Sequence, residues 1–194
     1  MSVQLSPLSA EPTQIVGLWR LQTRAATDDR GTVREFFRAS AYADLDAQLP
    51  ARWEQMNLTW TARGGIRGLH GESMTKLVGV AHGEAFGVYL DARPDSSSYG
   101  TVVTATLTVG VQLVVPPGVC NGFQAVSEGG CQYLYCFDAE WAPGMAGVAV
   151  TPLDPQLDIA WPVPFDASDP AVLSEKDRTA PRFADLQAGL HQEG

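Results

Sequence analysis

Apolar and polar positions alternate with the period of a β-strand through the middle of the chain. The run GEAFGVYLDAR alternates apolar with small or polar residues over 85–90. That is the pattern of a strand whose successive side chains face opposite sides of a sheet. The turn-rich PDSSSYG follows, and then TVVTATLTV, rich in β-branched residues that fit a pleated surface. After Gly110 comes VQLVV, closed by Pro116, Pro117 and Gly118. Residues 122–126 and 132–137 predict two more short strands around the turn SEGG. Strands so closely spaced, joined by Gly, Pro and Ser turns, indicate a sandwich or closed barrel. Helical signals are few. Ser40 is placed to cap a short helix running through Ala47, residues 183–190 predict a terminal helix, and residues 191–194 are expected to fray. The pattern is therefore all-β with short peripheral helices.

A length of 194 residues suits one domain spanning 1–194 and is enough to bury a core. Thirteen Lys and Arg against 22 Asp and Glu give a net charge of −9. This argues against a nucleic-acid or anionic-membrane partner, but leaves room for a locally basic pocket. The first twelve residues carry no Lys or Arg and no apolar run, so neither a signal peptide nor an anchor is expected. No stretch approaches the ~18 apolar residues of a spanning helix. Cys120, Cys131 and Cys136 are odd in number and lack C-x-x-C spacing, which predicts buried, reduced thiols in a cytoplasmic protein. A barrel of this size holds one small ligand at its mouth, and an ionisable residue pointing inward would be the unusual one.

Several segments, in order along the chain, resemble the dTDP-4-dehydrorhamnose 3,5-epimerase family. They are DDRGTVREFF, QMN, GGIRGLH, KLVGVAHGEAFGVYLDAR, DSSSYG, VPPGVCNGF, YLYCFDAEW, LDPQLDIAWP and LSEKD, covering roughly residues 15–185. R-G-L-H, K-L-V and S-E-K-D are individually weak motifs; their shared order makes the match. The resemblance implies a cupin-type jelly-roll β-barrel, a homodimer, and no metal or organic cofactor. It also implies a dTDP-4-keto-6-deoxyhexose substrate in deoxysugar biosynthesis of the dTDP-rhamnose kind. In such dimers N-terminal strands pair across two barrels, and the apolar alternation of VGLWRLQ, residues 16–22, fits that role.

Epimerisation beside a ketone removes a proton that is acidic only because the anion delocalises onto oxygen. The site must supply a base, a cation or donor at the enolate oxygen, and an acid on the opposite face. Histidine suits the base, since its unperturbed pKa of about 6.5 leaves it largely neutral at pH 7. The resemblance assigns these roles here. His70 is the base, Asp177 its carboxylate partner, Lys76 the cation at the keto oxygen, and Tyr135 the acid. Arg67 holds the diphosphate, Arg30 and Glu35 contact the nucleotide sugar, and Gln55 and Asn57 lie near the base and the pocket wall. A bland reading stands beside each: Arg30 bracing a turn with Asp28 or Asp29, Trp141 packing in the core rather than stacking on ligand, and His82 in a turn.

Three departures bear on substrate. Cys120-Asn121-Gly122-Phe123 stands where the family usually has A-H-G-F, and an Asn cannot titrate. Trp141 stands where the family often has an aromatic hydroxyl. The loop GESMT between His70 and Lys76 is shorter than the family's. These leave open epimerisation at C3, at C5 or at both. Two other readings compete: a degenerate member that binds a nucleotide sugar without turnover, and a metal-dependent cupin, which needs three or more convergent ligands.

Overall fold

Extended segments form wherever β-branched and aromatic residues run between Gly- and Pro-bearing turns. The computed structural model describes residues 2–190 apart from 46, 48 and 51. Its strands are β1 (Gln4–Ser6), β2 (Ser9–Pro12), β3 (Trp19–Gln22), β4 (Ala25–Asp28) and β5 (Gly31–Arg34). After the short helix α1 (Ala39–Ala43) come β6 (Gln55–Thr61), β7 (Ile66–Glu72), β8 (Lys76–His82), β9 (Ala85–Asp91) and β10 (Val102–Leu107). Then follow β11 (Val111–Val115), β12 (Val119–Ala125), β13 (Cys131–Phe137) and β14 (Gly147–Ala149). A 3-10 turn at Pro155–Leu157 and helices α2 (Glu175–Arg178) and α3 (Phe183–Leu190) complete the chain.

All the strand pairs are antiparallel. A six-stranded sheet runs β2-β3-β11-β8-β13-β6, a five-stranded sheet runs β10-β9-β12-β7-β14, and β1-β4-β5 form a small separate arm. The two large sheets face each other as a cupin-type jelly roll. Alternate residues of β8, β9, β11, β12 and β13 fill the space between them, among them Val78, Tyr89, Leu113, Phe123 and Tyr133. Residues of the opposite parity are buried as well. Leu77, Val114 and Cys136 pack outward beneath α1, while Val88, Leu90 and Cys120 pack beneath Val150, Leu157 and Phe183 of the C-terminal segment. Cys120, Cys131 and Cys136 are buried and free, as expected.

The segments predicted around 85–90, 101–109, 111–115, 122–126 and 132–137 are all strands, and α3 has its predicted bounds. Other expectations need correction. Helix α1 begins at Ala39 with Arg38 in the cap position and no side-chain cap bond, so Ser40 lies inside the first turn and the helix stops at Ala43. Of residues 16–22 only Trp19–Gln22 is a strand, and it pairs on both sides within its own chain, with β2 and β11. His82 ends β8, opposite Gln132, rather than lying in the turn itself. The fraying expected at 191–194 falls outside the described residues.

The end of β9 is tied by Asp91, whose side chain is buried. It accepts hydrogen bonds from Arg93 Nε (2.8 Å) and Nη2 (2.7 Å), Ser96 Oγ (2.6 Å) and Ser98 Oγ (2.6 Å). Ser98 Oγ accepts from Val16 N–H (2.9 Å), and Arg93 Nη2 donates to Val16 O (2.7 Å), so the DSSSYG turn clamps the N-terminal turn to β9. Burial opposes the charge on Asp91, but the Arg93, Ser96 and Ser98 donors outweigh it and hold the carboxyl at about 2, below its ordinary 3.8. Because the folded value is the lower one, this stabilisation is present above pH 3.8 and is lost as pH falls through about 2. Asp91→Asn is therefore expected to lower unfolding free energy at pH 7 by about 2 kcal/mol in urea titrations. The gap from wild type should shrink toward zero near pH 2, and a gap independent of pH would assign the loss to packing instead.

Candidate active site

A regular strand sends residues three apart to opposite faces. On β7, Arg67 and His70 are three apart, yet both line the same cleft. The reason is a bulge: Asn121 pairs with His70 but Phe123 pairs with Arg67, so an interval of three residues on β7 matches one of two on β12. One extra residue restores both side chains to the cleft face. Gly68 sits in this bulge with φ +111, where a Cβ would come within 2.6 Å of Gly122 Cα and 2.7 Å of the Asn121 carbonyl oxygen. A Cβ on Gly122 would in turn meet the Arg67 carbonyl oxygen at 2.6 Å. The glycines of RGLH and CNGF thus belong to one close strand crossing.

Asp177 reaches His70 from the other end of the chain. Val172 O accepts from Ile66 N (2.8 Å) and Leu173 bridges Ile66, which pins the segment against β7. Ser174 then caps α2, its Oγ accepting from Asp177 N–H at 3.1 Å. This cap fixes Asp177 in the first turn, with Oδ1 2.7 Å from His70 Nε2 and Oδ2 accepting from Gly68 N–H at 3.4 Å. Burial opposes ionisation of Asp177, but the His70 ring, Gly68 N–H and Ser174 hold its carboxyl below the usual value. With Nε2–H donated to Asp177, the lone pair of the neutral ring lies on Nδ1. His70 is 35% exposed and Asp177 8%, so the partner is shielded while the ring is open to a ligand.

Two cavities of about 280 and 610 Å³ adjoin at Arg67 and His70. The smaller is walled by Thr59, Thr61, Tyr135 and Asp177, the larger by Asn57, Glu72, Trp141, Met145 and Lys176. Burial pushes the Tyr135 phenol well above its usual value, against the opposing Arg67 charge, so it stays protonated at neutral pH. The ring is held in an aromatic ladder between Tyr133 and Phe137. Arg67 Nε donates to Thr61 Oγ1 at 2.9 Å, leaving the rest of its guanidinium to the cleft. Gln55 links the wall, accepting from Trp141 N–H (2.8 Å) and donating to Asn57 Oδ1 (3.1 Å).

His70, Asp177, Tyr135, Arg67, Asn57 and Trp141 therefore converge, and Trp141 is half exposed on the cavity wall rather than packed in the core. Lys76 lines neither cavity. It is buried behind His70, donating to the His70 carbonyl (3.1 Å) and to Glu72. Asn121 is buried directly across from His70 and makes no side-chain hydrogen bond among the described residues. Arg30 and Glu35 are not brought to the cleft of this chain. Arg30 spends its guanidinium on Asp28 at the β4–β5 turn, and Glu35 pairs with Arg38. Glu72 and Lys176 were missed from the sequence, although Glu72 stands two residues beyond His70, on the same strand face, and Lys176 lies inside LSEKD. Among the described residues no three His, Cys, Asp or Glu side chains are close enough to share a metal ion.

Residues 12–185 match the family model described as dTDP-4-dehydrorhamnose 3,5-epimerase. The chain is 35% identical over 169 residues to the dTDP-4-dehydrorhamnose 3,5-epimerase of Pseudomonas aeruginosa, covering 84% of this chain and 90% of that one. Its fold is similar to that of a 4-keto-6-deoxy sugar epimerase from the novobiocin biosynthetic gene cluster of Streptomyces spheroides. That likeness has a TM-score of 0.86, 27% identity, and coverage of 98% and 95% of the two chains. It is also similar to dTDP-6-deoxy-D-glucose-3,5-epimerase from Legionella pneumophila in complex with dTDP-4-keto-L-rhamnose, with TM-score 0.81, 31% identity, and 93% and 97% coverage.

The strand crossing beneath the site has a direct test. Gly68→Ala places a Cβ against the β12 backbone at a φ that L-residues rarely adopt. Backbone strain and overpacking together should destabilise the fold by roughly 2–5 kcal/mol in thermal or urea unfolding. A change under about 1 kcal/mol would mean that β7 and β12 separate easily there.

Proposed function

This chain belongs to the dTDP-4-dehydrorhamnose 3,5-epimerase family, and from that premise we propose that its cleft inverts C3 and C5 of a dTDP-4-keto-6-deoxyhexose. One observation carries the site assignment: the 2.7 Å pair of His70 with Asp177, at the junction of two cavities and with a protonated Tyr135 on the wall. His70 Nδ1 takes the proton beside the C4 ketone, and the C–H electron pair delocalises onto the ketone oxygen as an enolate. Asp177 stabilises the imidazolium so formed. Lys76, buried behind His70, supplies a positive field that stabilises the enolate. Tyr135 O–H gives a proton to the opposite face of the same carbon, inverting it. Solvent then returns a proton to the phenolate and takes one from the imidazolium. Arg67 and Lys176 supply charge for the diphosphate, and Trp141 presents an indole face to the nucleotide.

Asn121 supports a second reading, in which one carbon exchanges much faster than the other. It stands across from His70 and cannot carry a proton there. Incubating dTDP-4-keto-6-deoxyglucose in deuterated water and locating the label by NMR tests both. Deuterium at C3 and C5 is expected; C3 well before C5 supports the second reading. Binding without any label would overturn turnover altogether. His70→Ala and Asp177→Ala should each lower kcat by roughly 10²–10⁴. The double variant should lose little more than the worse single, since residues acting as a unit are not additive. Lys76→Met should lower kcat by about 10²–10³.

The assembly we infer is a homodimer. Met56, Leu58 and Trp60 form an exposed apolar stripe on β6, an edge strand of the larger sheet, and Val3, Leu5 and Val33 are exposed on the β1-β4-β5 arm. An arm laid on a second copy's stripe covers both and carries Arg30 and Glu35 toward that copy's cleft. The three buried, free thiols fit a reducing compartment such as the cytoplasm, and no described helix is long and apolar enough to cross a membrane. Sedimentation velocity is expected to show a dimer that Trp60→Glu dissociates, with loss of activity; a dilution-resistant monomer with full activity would sink the arrangement.

A further inference from the structure

The cleft contains a carboxylate to which the reaction above gives no part. Glu72 closes β7 two residues after His70 and so shares its face. The turn to β8 is only Ser73–Thr75, which brings Glu72 back against Lys76 at the start of β8. Lys76 Nζ donates to Glu72 Oε2 at 2.5 Å and to the His70 carbonyl at 3.1 Å. The Lys76 side chain is 2% exposed and the Glu72 side chain 20%, so the pair is shielded but Glu72 borders the larger cavity. Structure alone does not call for such a pair, because well-packed apolar residues of the same volume stabilise a core at least as well.

We propose that Glu72 is the positioning residue for Lys76, holding its ammonium charged and fixed behind His70, where its field stabilises the enolate. This rests on the role given to Lys76 above. An ammonium has three donors. Glu72 and the His70 carbonyl occupy two, which fixes the direction of the third. The contact with the His70 carbonyl also locks the lysine to the strand that carries the base, so base and cation keep one relative geometry. Each cation of the reaction then has its own carboxylate: Asp177 for the His70 imidazolium formed during turnover and Glu72 for the standing Lys76 ammonium.

Proton affinities agree with this arrangement. Burial pushes the Lys76 ammonium down from its usual value, and Glu72 is the main group opposing that fall. Burial likewise opposes ionisation of Glu72, but Lys76, with a smaller contribution from His70, holds it below the usual carboxylate value. The remaining titratable group acting on Lys76 is the Cys120 thiol of β12, pushed up to about 12 by burial and therefore neutral. Phe137 and Val115, the residues paired with Lys76 on β13 and β11, carry no charge.

Glu72→Gln keeps the shape and removes the charge. We expect kcat to fall roughly 10–100-fold at pH 7 with KM changed less than about threefold. The alkaline limb of the kcat profile, where Lys76 loses its proton, should move down by at least about one pH unit. Glu72→Asp, which retains the carboxylate, should recover most of the rate, and circular dichroism with thermal unfolding checks that each variant is folded. In the Lys76→Met background, Glu72→Gln should cost nothing further. An unmoved alkaline limb, or an equal loss in that background, overturns the proposal while leaving the His70 assignment intact. A Lys76→Met enzyme with full kcat overturns it from the other side, by removing Lys76 from the mechanism.

Discussion

The hydrogen bond between His70 and Asp177 joins points 107 residues apart in sequence, and much of the structure serves to make it. On one side, β7 must bulge so that Arg67 and His70 face the same cleft. On the other, the C-terminal segment must bind Ile66 and then turn into a capped helix at the right height. Each requirement draws on a small residue in a specific place: Gly68 and Gly122 where the strands nearly touch, Ser174 where a helix begins. An uncapped α2 would free the backbone that carries Asp177, and the buried carboxylate would lose one of the donors that keep it ionised.

Charge inside the cleft is balanced locally. The protein carries −9 overall, yet Arg67 and Lys176 line the two cavities and Lys76 lies buried behind His70. The buried charges persist there because each has a partner at hydrogen-bond distance, Asp177 with His70 and Lys76 with Glu72, while the exposed Arg67 is anchored by Thr61. The same economy explains Asp91 at the end of β9, where four side-chain donor contacts hold one carboxylate. The barrel thus has one charged cluster that ties the end of β9 and another at the cleft around His70.

Strand β9 was legible because its residues alternate, and β10, β11 and β13 because β-branched and aromatic residues crowd between turns. Strands β7 and β8 were hidden. Lys76, Leu77, Val78, Gly79 and Val80 are all buried, since α1 and its neighbours cover the outer face of that sheet while the barrel core covers the inner. A strand buried on both faces loses the period-two signal. In β7 the bulge breaks the period as well, so IRGLHGE read as a motif and not as a strand. The helix expected from Ser40 failed for a local reason: Arg38, not Ser40, occupies the cap position, and α1 is a single turn held by the packing of Tyr42 on the sheet.

By itself the sequence determined the all-β class, the terminal helix, the buried free thiols and, through the order of its short motifs, the family and the candidates His70, Asp177, Tyr135 and Arg67 that the fold brings together. Those follow from local pattern and residue chemistry, which need no knowledge of distant contacts. Tertiary structure decided which carboxylate meets which cation. Glu72 and Lys76 meet because a three-residue turn carries the chain from β7 in one sheet to β8 in the other, and Arg30 stays on Asp28 because β4 and β5 form a separate small sheet. It also decided that Trp141 lies on a cavity wall and that Met56, Leu58 and Trp60 are bare on an edge strand. Such facts depend on sheet order and on the parity of a bulged strand, quantities that arise only when strands far apart in sequence pair with one another.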